Sequence, residues 1–208
     1  MKRVKVVSFD VEGTLVTSDF SHAVWFEAIP RRYAEKNGIS LEQARKAVEE
    51  EYRKVGDQRL EWYDIRYWLG RLGLGTPVPI MRSCESHIRY YPEVKDVLAS
   101  LNERYKLIAA SGSTRDFLHH LLQEIAPFFS EIFSSITDYG QLKTSDFYSK
   151  MCQVIRVEPE QVVHIGDNWQ FDYVAPSEIG IHAFYLDRKQ QAENSVADLL
   201  QLKDYLID

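Results

Sequence analysis

A run of apolar residues, Val4, Val6, Val7 and Phe9, leads directly into Asp10, Glu12, Gly13 and Thr14. Two carboxylates two residues apart, where a buried strand runs out into a glycine turn, supply the residue types for a nucleophile and a proton donor. Three more polar clusters follow apolar runs. Ser111, Gly112 and Ser113 come at the end of "YKLIAA", and Lys143 lies in the loop after "SEIFSSI". Asp167 ends "QVVHIG", with Asp172 five residues later. Asp10, Asp167 and Asp172 offer the hard oxygen ligands that Mg2+ prefers. Ser111 and the backbone N–H groups after it stand at the mouth of a helix capped by "STRD", a setting that attracts anions. Lys143 is a mobile positive charge able to neutralise both a phosphate and a carboxylate. A carboxylate nucleophile beside Mg2+, with a second acid two residues on, fits covalent phosphoryl transfer through an aspartyl-phosphate.

Taken singly, each cluster has an ordinary structural reading: a capped turn after a strand, or a serine-glycine loop. Their common placement separates them from that background, because all four fall where strands end, in a chemically coherent order. Other reactive side chains read as structural. His119 and His120 are assigned to a helix surface, since adjacent residues face different directions. His164 is read as a hydrogen-bonded core histidine and Cys152 as a core thiol.

The elements that must position these residues follow from periodicity. After Thr17 the pattern is helical for about 55 residues. In "SLEQARKAVEEEYRKV", Ser40 and Gln43 match a capping box, and Leu41, Ala44, Val48, Tyr52 and Val55 share one face. An earlier helix carries Trp25, Phe26, Ile29 and Tyr33, bent or interrupted by Pro30. A later one, "RLEWYDIRYWLGRLG", ends on Gly73, and "GLGTPVPIMR" reads as a loop. From Pro92 the rhythm becomes alternating helices and short apolar strands. That alternation predicts an α/β fold, a Rossmann-like parallel sheet with helices on both faces. Strand one belongs with it, so residues 1–17 and 91–208 form the core domain and residues 18–90 an inserted all-helical domain. In open sheets of this kind ligands bind outside the carboxyl ends of the strands.

Bulk properties exclude several classes. The chain has 208 residues, 45% of them apolar and 27% charged, which is ordinary for a globular protein. A net charge of -6 gives no electrostatic reason for a nucleic-acid or membrane partner. Cys84 and Cys152 form no metal-ligand pattern and are read as free thiols. No signal peptide stands out, and no apolar run approaches the roughly 18 residues of a membrane span, so the expected location is cytoplasmic.

"DVEGTLV", "AASGS", "GQLKTSDFY" and "GDNWQFD" resemble the four ordered motifs of the haloacid dehalogenase superfamily of hydrolases. The similarity covers the α/β part nearly end to end, and the helical insertion lies where that superfamily has its cap domain. The resemblance implies that Asp10 is the nucleophile and Glu12 the general acid/base, whose backbone carbonyl also meets Mg2+. It implies that Ser111, with the Gly112 backbone, binds the transferring phosphoryl group, and that Lys143 steadies that group and Asp10. Asp167 would ligate the metal directly, and Asp172 directly or through a water.

Phosphatases of this superfamily usually carry aspartate where this chain has Glu12. Glutamate keeps an ionisable carboxyl, with a reference pKa of about 4.3 against about 3.9. Its chain is one methylene longer, so geometry rather than acidity is what the change tests. Thr144 and Pro176 also depart from the usual proline and small residue, without removing a functional group. The reading reached is a Mg2+-dependent phosphatase acting on a small phosphorylated metabolite. The alternatives are a weakly active or inactive phosphate-binding homologue, a 2-haloacid dehalogenase-type hydrolase and a phosphomutase. Tyrosine is usual at Glu12 in the dehalogenase branch, which needs no metal, and alanine in phosphonate-cleaving members. Among residues 18–90, Arg59, Trp62, Arg66 and Trp68 are candidates for facing the site, and periodicity does not separate them from core or solvent-facing positions.

Overall fold

The computed structural model of the chain describes residues 3–193 and 195–207. Five short strands, β1 (Val6–Phe9), β2 (Lys106–Ser111), β3 (Glu131–Ser134), β4 (Val162–Gly166) and β5 (His182–Tyr185), pair in parallel in the order β3-β2-β1-β4-β5. The register sets Phe9 opposite both Ala109 and Ile165, so β1 stops first, β4 runs one residue further to Gly166 and β2 two further to Ser111. Connections leave β1 toward β2 on one side and return to β4 on the other, which opens a crevice at the end of β1.

Between β1 and β2 the chain is helical: α1 (Asp19–His22), a π-wound stretch (Ala23–Ala28), α2 (Ile29–Asn37), α3 (Leu41–Val55), α4 (Ile65–Leu72), α5 (Pro77–Cys84) and α6 (Val94–Asn102). The α7 helix (Arg115–Leu121) follows β2, α8 (Ser135–Tyr139) and α9 (Ser145–Ile155) follow β3, α10 (Ala175–Ser177) follows β4, and α11 (Leu199–Ile207) closes the fold. The α3 capping box forms in full, with Gln43 N donating to Ser40 Oγ at 3.2 Å and Ser40 N donating to Gln43 Oε1 at 3.0 Å. Pro30 falls in the first turn of α2, directly after the π-wound stretch, where its missing N–H and ring displace the regular ladder.

Parallel strands are buried on both faces, and their alternation divides the side chains between two cores. Val7, Phe9, Leu107, Ala109, Val163 and Ile165 point into one. Val6, Ile108, Ala110 and Val162 point into the other, against Phe147, Tyr148, Met151 and Cys152 of α9. The helices of the long insertion pack into the first of these cores. Ile29, Val48, Ile65 and Leu69 belong to one continuous apolar cluster with Phe9, Leu98 and Phe117. Trp25 stacks on Phe117 with ring centroids 5.4 Å apart, and Arg66 donates to both Asp116 oxygens at 2.7 and 2.8 Å.

Four sequence expectations are corrected. "TPVPIMR" is not a loop: Pro77 and Pro79 open α5, where first-turn N–H groups would have no acceptor within the helix, so proline forfeits no bond. "RLEWYDIRYWLGRLG" is broken at Asp64, which accepts from Arg66 N and caps α4 after a 3-10 turn at Leu60–Tyr63. "SEIFSSI" is strand only to Ser134, whose hydroxyl accepts from Thr137 N and starts α8, so Lys143 follows a helix rather than the strand itself. His120 is buried, not on the surface: its Nδ1 meets Glu85 Oε1 at 2.8 Å, while His119 stays exposed. Among the described residues no helix is long and apolar enough to cross a membrane.

Candidate active site

Asp10 is the first residue beyond β1 at the centre of the sheet, and burial leaves it only 7% exposed. Its N–H donates to Ile165 O at 2.9 Å, fixing the backbone one step past the strand. Lys143 Nζ donates to Asp10 Oδ1 at 2.7 Å and also to Asp172 Oδ1. Thr14 Oγ1 lies 3.5 Å from the other Asp10 oxygen. A single buried ammonium therefore joins carboxylates that the chain carries 162 positions apart. Such burial is tolerable only because each charge has partners in place.

Asp172 is held from every side. Asn168 N donates to its Oδ2 at 3.0 Å, and Tyr148 OH and His164 Nε2 approach Oδ1 at 3.3 and 3.1 Å. His164 in turn meets Ser8 through Nδ1 at 2.8 Å. His164 is thus a hydrogen-bonded core histidine whose partners are those of the site. Gly166 makes room for this arrangement, because a Cβ there would lie 2.3 Å from Asp172 Cγ. Gly13 does the same for Asp167: with φ at +82° it turns the chain so closely that a Cβ would sit 2.1 Å from Asp167 Oδ2. These two glycines are required by the close approach of the two carboxylates.

Oxygens of Asp10, Asp167 and Asp172 lie within 4.8 Å of one another. Three hard oxygen donors at this spacing, with glycines shaped around two of them, fit a divalent cation such as Mg2+. The electrostatics agree. Burial, opposed by Lys143 and reinforced by Asp172, pushes the Asp10 carboxyl up to about 8. Asp167 is exposed at the mouth of the crevice, yet protein surrounds it closely enough that desolvation and the Asp172 charge raise it to about 6. Asp172 moves the other way: Lys143 and the His164 hydrogen bond outweigh its burial and hold it below the usual carboxylate range. Crowding makes a second and third negative charge costly at this point, so the cluster gains from taking up positive charge, and a divalent cation competes with protons for the same oxygens.

Glu12 leaves this cluster. Its carboxyl reaches the insertion, where Ser21 Oγ of α1 donates to Oε2. Burial raises its carboxyl to about 7, against the lowering effect of that hydrogen bond. On the opposite side Ser111 ends β2 buried, its Oγ accepting from Ser113 N at 3.1 Å. Gly112 is unconstrained: a Cβ there would stand 3.7 Å from Lys143 Cδ, an ordinary contact. Thr114 occupies the cap position of α7 without a side-chain cap bond, and Asp116 is taken by Arg66, so "STRD" does not cap as expected. Thr144 and Pro176 open α9 and α10 and do not line the crevice.

The crevice has a volume of about 1030 Å³. Asp10, Glu12, Ser111, Gly112, Lys143, Asp167 and Asp172 all line it. Of the four candidates on the insertion, Trp62 and Trp68 line it, whereas Arg59 pairs with Glu61 and Arg66 with Asp116. Three participants carried no signal in the sequence. Ser21 is one polar residue in an apolar helical run. Tyr148 is part of the core behind the sheet, with its hydroxyl 3.3 Å from Asp172 Oδ1. Arg188, in the loop after β5, donates to the carbonyls of Thr14 at 2.7 Å and Gly13 at 3.3 Å, lies over Tyr91 at 3.5 Å and pairs with Glu93. It ties down the turn that carries Glu12.

A family model described as haloacid dehalogenase-like hydrolase matches residues 4–180. A GMP/IMP nucleotidase, YrfG of Escherichia coli strain K12, is 32% identical over 71 residues, 34% of this chain. The match spans about a third of that relative's length, 32% of it. Among solved structures, a HAD phosphatase from Thermococcus onnurineus is 20% identical with a TM-score of 0.87, each chain covered to 98%. A 2-haloacid dehalogenase from Pseudomonas syringae is 19% identical with a TM-score of 0.70, again over 98% of both chains. The putative HAD-hydrolase YfnB from Bacillus subtilis, bound to magnesium, is 19% identical over 99% of both chains, with a TM-score of 0.69. At these identities the structural likenesses establish the fold.

Proposed function

The chain belongs to the haloacid dehalogenase-like hydrolases, and from that premise we propose that it is a Mg2+-dependent phosphatase acting on a small phosphorylated metabolite. The observation that carries this reading is the Lys143 bridge between Asp10 and Asp172, with Asp167 completing an acid cluster within 4.8 Å beside Ser111. Asp10, Asp167 and Asp172 would hold Mg2+, which when bound neutralises charge on the phosphoryl oxygens and on Asp10. In this proposal residues 18–90 act as the cap and residues 1–17 with 91–208 as the core.

Asp10 Oδ1 is occupied by Lys143, which leaves Oδ2 to attack phosphorus. The bond from phosphorus to the leaving alcohol breaks as the aspartyl-phosphate forms, and Glu12 gives its proton to the departing oxygen. With its carboxyl near 7, Glu12 is poised to donate at neutral pH and then to take a proton from water. That water attacks the aspartyl-phosphate at phosphorus, releasing inorganic phosphate and restoring Asp10. Ser111 and Lys143 hold the transferring group between them. The Ser21 contact supports an active rather than a degraded site, because it gives the longer Glu12 side chain a defined place. The acid cluster, together with Glu12, favours phosphoryl transfer over dehalogenation. The nucleotidase relative brings nucleoside monophosphates into the set of candidate substrates.

Release of inorganic phosphate from a panel of phosphate monoesters, with Mg2+ and with EDTA, tests the reading. Turnover that depends on Mg2+ and is abolished by EDTA is expected. Full turnover in chelator, or turnover of 2-haloacids instead, would overturn it.

A further inference from the structure

The crevice floor is ionic, but the side formed by the insertion is aromatic. Trp25, Phe26, Trp62 and Tyr63 line it, and Phe117 joins them from α7. Trp25 already stacks on Phe117 with planes 15° apart, so the wall is built from flat, ordered rings rather than mobile aliphatic chains. Phe26 meets Tyr52 edge-on at 6.2 Å and still leaves 40% of its surface open, an unusual exposure for a large apolar side chain facing a cleft.

Among the described residues this wall presents no lysine or arginine to the crevice, and its His22, beside Phe26, meets Glu27 at 3.7 Å. Arg59 and Arg66, which flank Trp62 and Tyr63 in the chain, pair with Glu61 and Asp116 and do not line the crevice. Of the cations that do line it, Lys143 is joined to Asp10 and Asp172, and Arg188 to Glu93 and two backbone carbonyls. Lys189 also lines it, but comes from the loop after β5 rather than from the insertion. A compact leaving group with its own carboxylate or second phosphate would meet aromatic faces without a charge partner and lose its hydration there. A planar ring would meet a stacking platform, and a crevice of about 1030 Å³ holds far more than a phosphoryl group.

We propose that the aromatic wall of Trp25, Phe26 and Trp62 selects phosphate monoesters whose leaving alcohol carries a planar ring, and discriminates against compact anionic ones. The inference rests on the phosphatase reading and names its substrate class. A nucleobase, a pyridine ring and a phenol share this chemistry.

The test compares kcat/KM for inosine 5′-monophosphate, pyridoxal 5′-phosphate and phosphotyrosine with that for ribose 5-phosphate and phosphoglycolate. At least one ring-bearing ester is expected to exceed ribose 5-phosphate by roughly 10- to 100-fold, the scale of one ring stacked on an aromatic side chain. Which ester leads identifies the ring. In Phe26→Ala and Trp62→Ala the ratio of ring-bearing to ring-free kcat/KM is expected to collapse by about 10-fold, mostly through KM. Phe26 is half-exposed, so its truncation spares the core. Ribose 5-phosphate or phosphoglycolate turned over as well as every ring-bearing ester overturns the inference and leaves the phosphatase reading standing. Should no ester be hydrolysed, the phosphatase reading fails. Calorimetric binding of inosine 5′-monophosphate against ribose 5-phosphate to Asp10→Asn then still decides the wall, and equal affinities overturn it.

Discussion

On the floor of the crevice Asp10, Lys143 and Asp172 are 7%, 3% and 1% exposed, and each has its hydrogen-bond partners in place. On the wall Phe26 is 40% exposed and meets the rings of Tyr52 and His22. The floor cannot drift, because a buried charge that loses its partner carries its full desolvation cost. The wall can change residue by residue, because an aromatic face needs only shape and area. On the proposed reading, chemistry lies where a lost partner is most costly and selectivity where the side chains are least constrained.

The sharpest way to break this contrast is Asp10→Asn, expected to lower kcat by about 10⁴-fold or more, as for loss of a catalytic nucleophile. The fold should survive, since Lys143 keeps Asp172 and one crowded negative charge is gone. A variant that unfolds while retaining activity per folded molecule would make Asp10 a structural residue.

Next in size, Glu12→Gln should slow turnover by roughly 10²- to 10⁴-fold. Glu12→Asp should give no gain, because the shorter chain withdraws from Ser21. A marked gain in Glu12→Asp with little loss in Glu12→Gln would instead mean that glutamate misplaces the proton.

A thermal effect of intermediate size follows from the floor's raised acids. Asp10, Glu12 and Asp167 hold protons up to about 8, 7 and 6, whereas the unfolded chain releases them near 4. The folded state then binds more protons than the unfolded one, so stability in EDTA should fall as pH rises from about 4 to about 8. The lowered Asp172 acts in the opposite sense only below about pH 4. Mg2+ should raise Tm more at pH 8 than at pH 5. Melting curves flat across this range in EDTA, with an equal Mg2+ shift at both pH values, would contradict the assigned burial.

The smallest effect is expected between floor and wall. Arg66 bridges to Asp116 but is 65% exposed, so Arg66→Ala should cost no more than about 1 kcal/mol. That corresponds to a fall of about 2–4 °C in Tm. A much larger loss would show that the ion pair, rather than the Trp25–Phe117 packing, holds the insertion in place.

The alternation of short apolar strands with helices, and polar residues at the strand ends, marked Asp10, Ser111, Asp167 and Asp172 as candidates, and the structure brings them into one crevice with Lys143, which arrives from the loop after α8. Parallel strands align their carboxyl ends, so residues remote in sequence are delivered to one crevice by topology alone. The α3 capping box was legible for a local reason, since its two hydrogen bonds span three residues. Other features were not local. Proline at the start of α5 reads like a loop because Pro suits both settings. His120 is buried by the insertion's Glu85, which lies 35 positions earlier in the chain.

The sequence by itself determined the order of the five strands, the acids at their ends and the substitution at Glu12, because these depend on residue type and period. Only the tertiary structure decided that Glu12 reaches Ser21, that Arg188 fastens the turn behind it and that Trp62 faces the crevice while Arg66 faces Asp116. Each of those depends on how the helical insertion docks over the sheet, and docking is set by packing between surfaces whose partners no periodicity records.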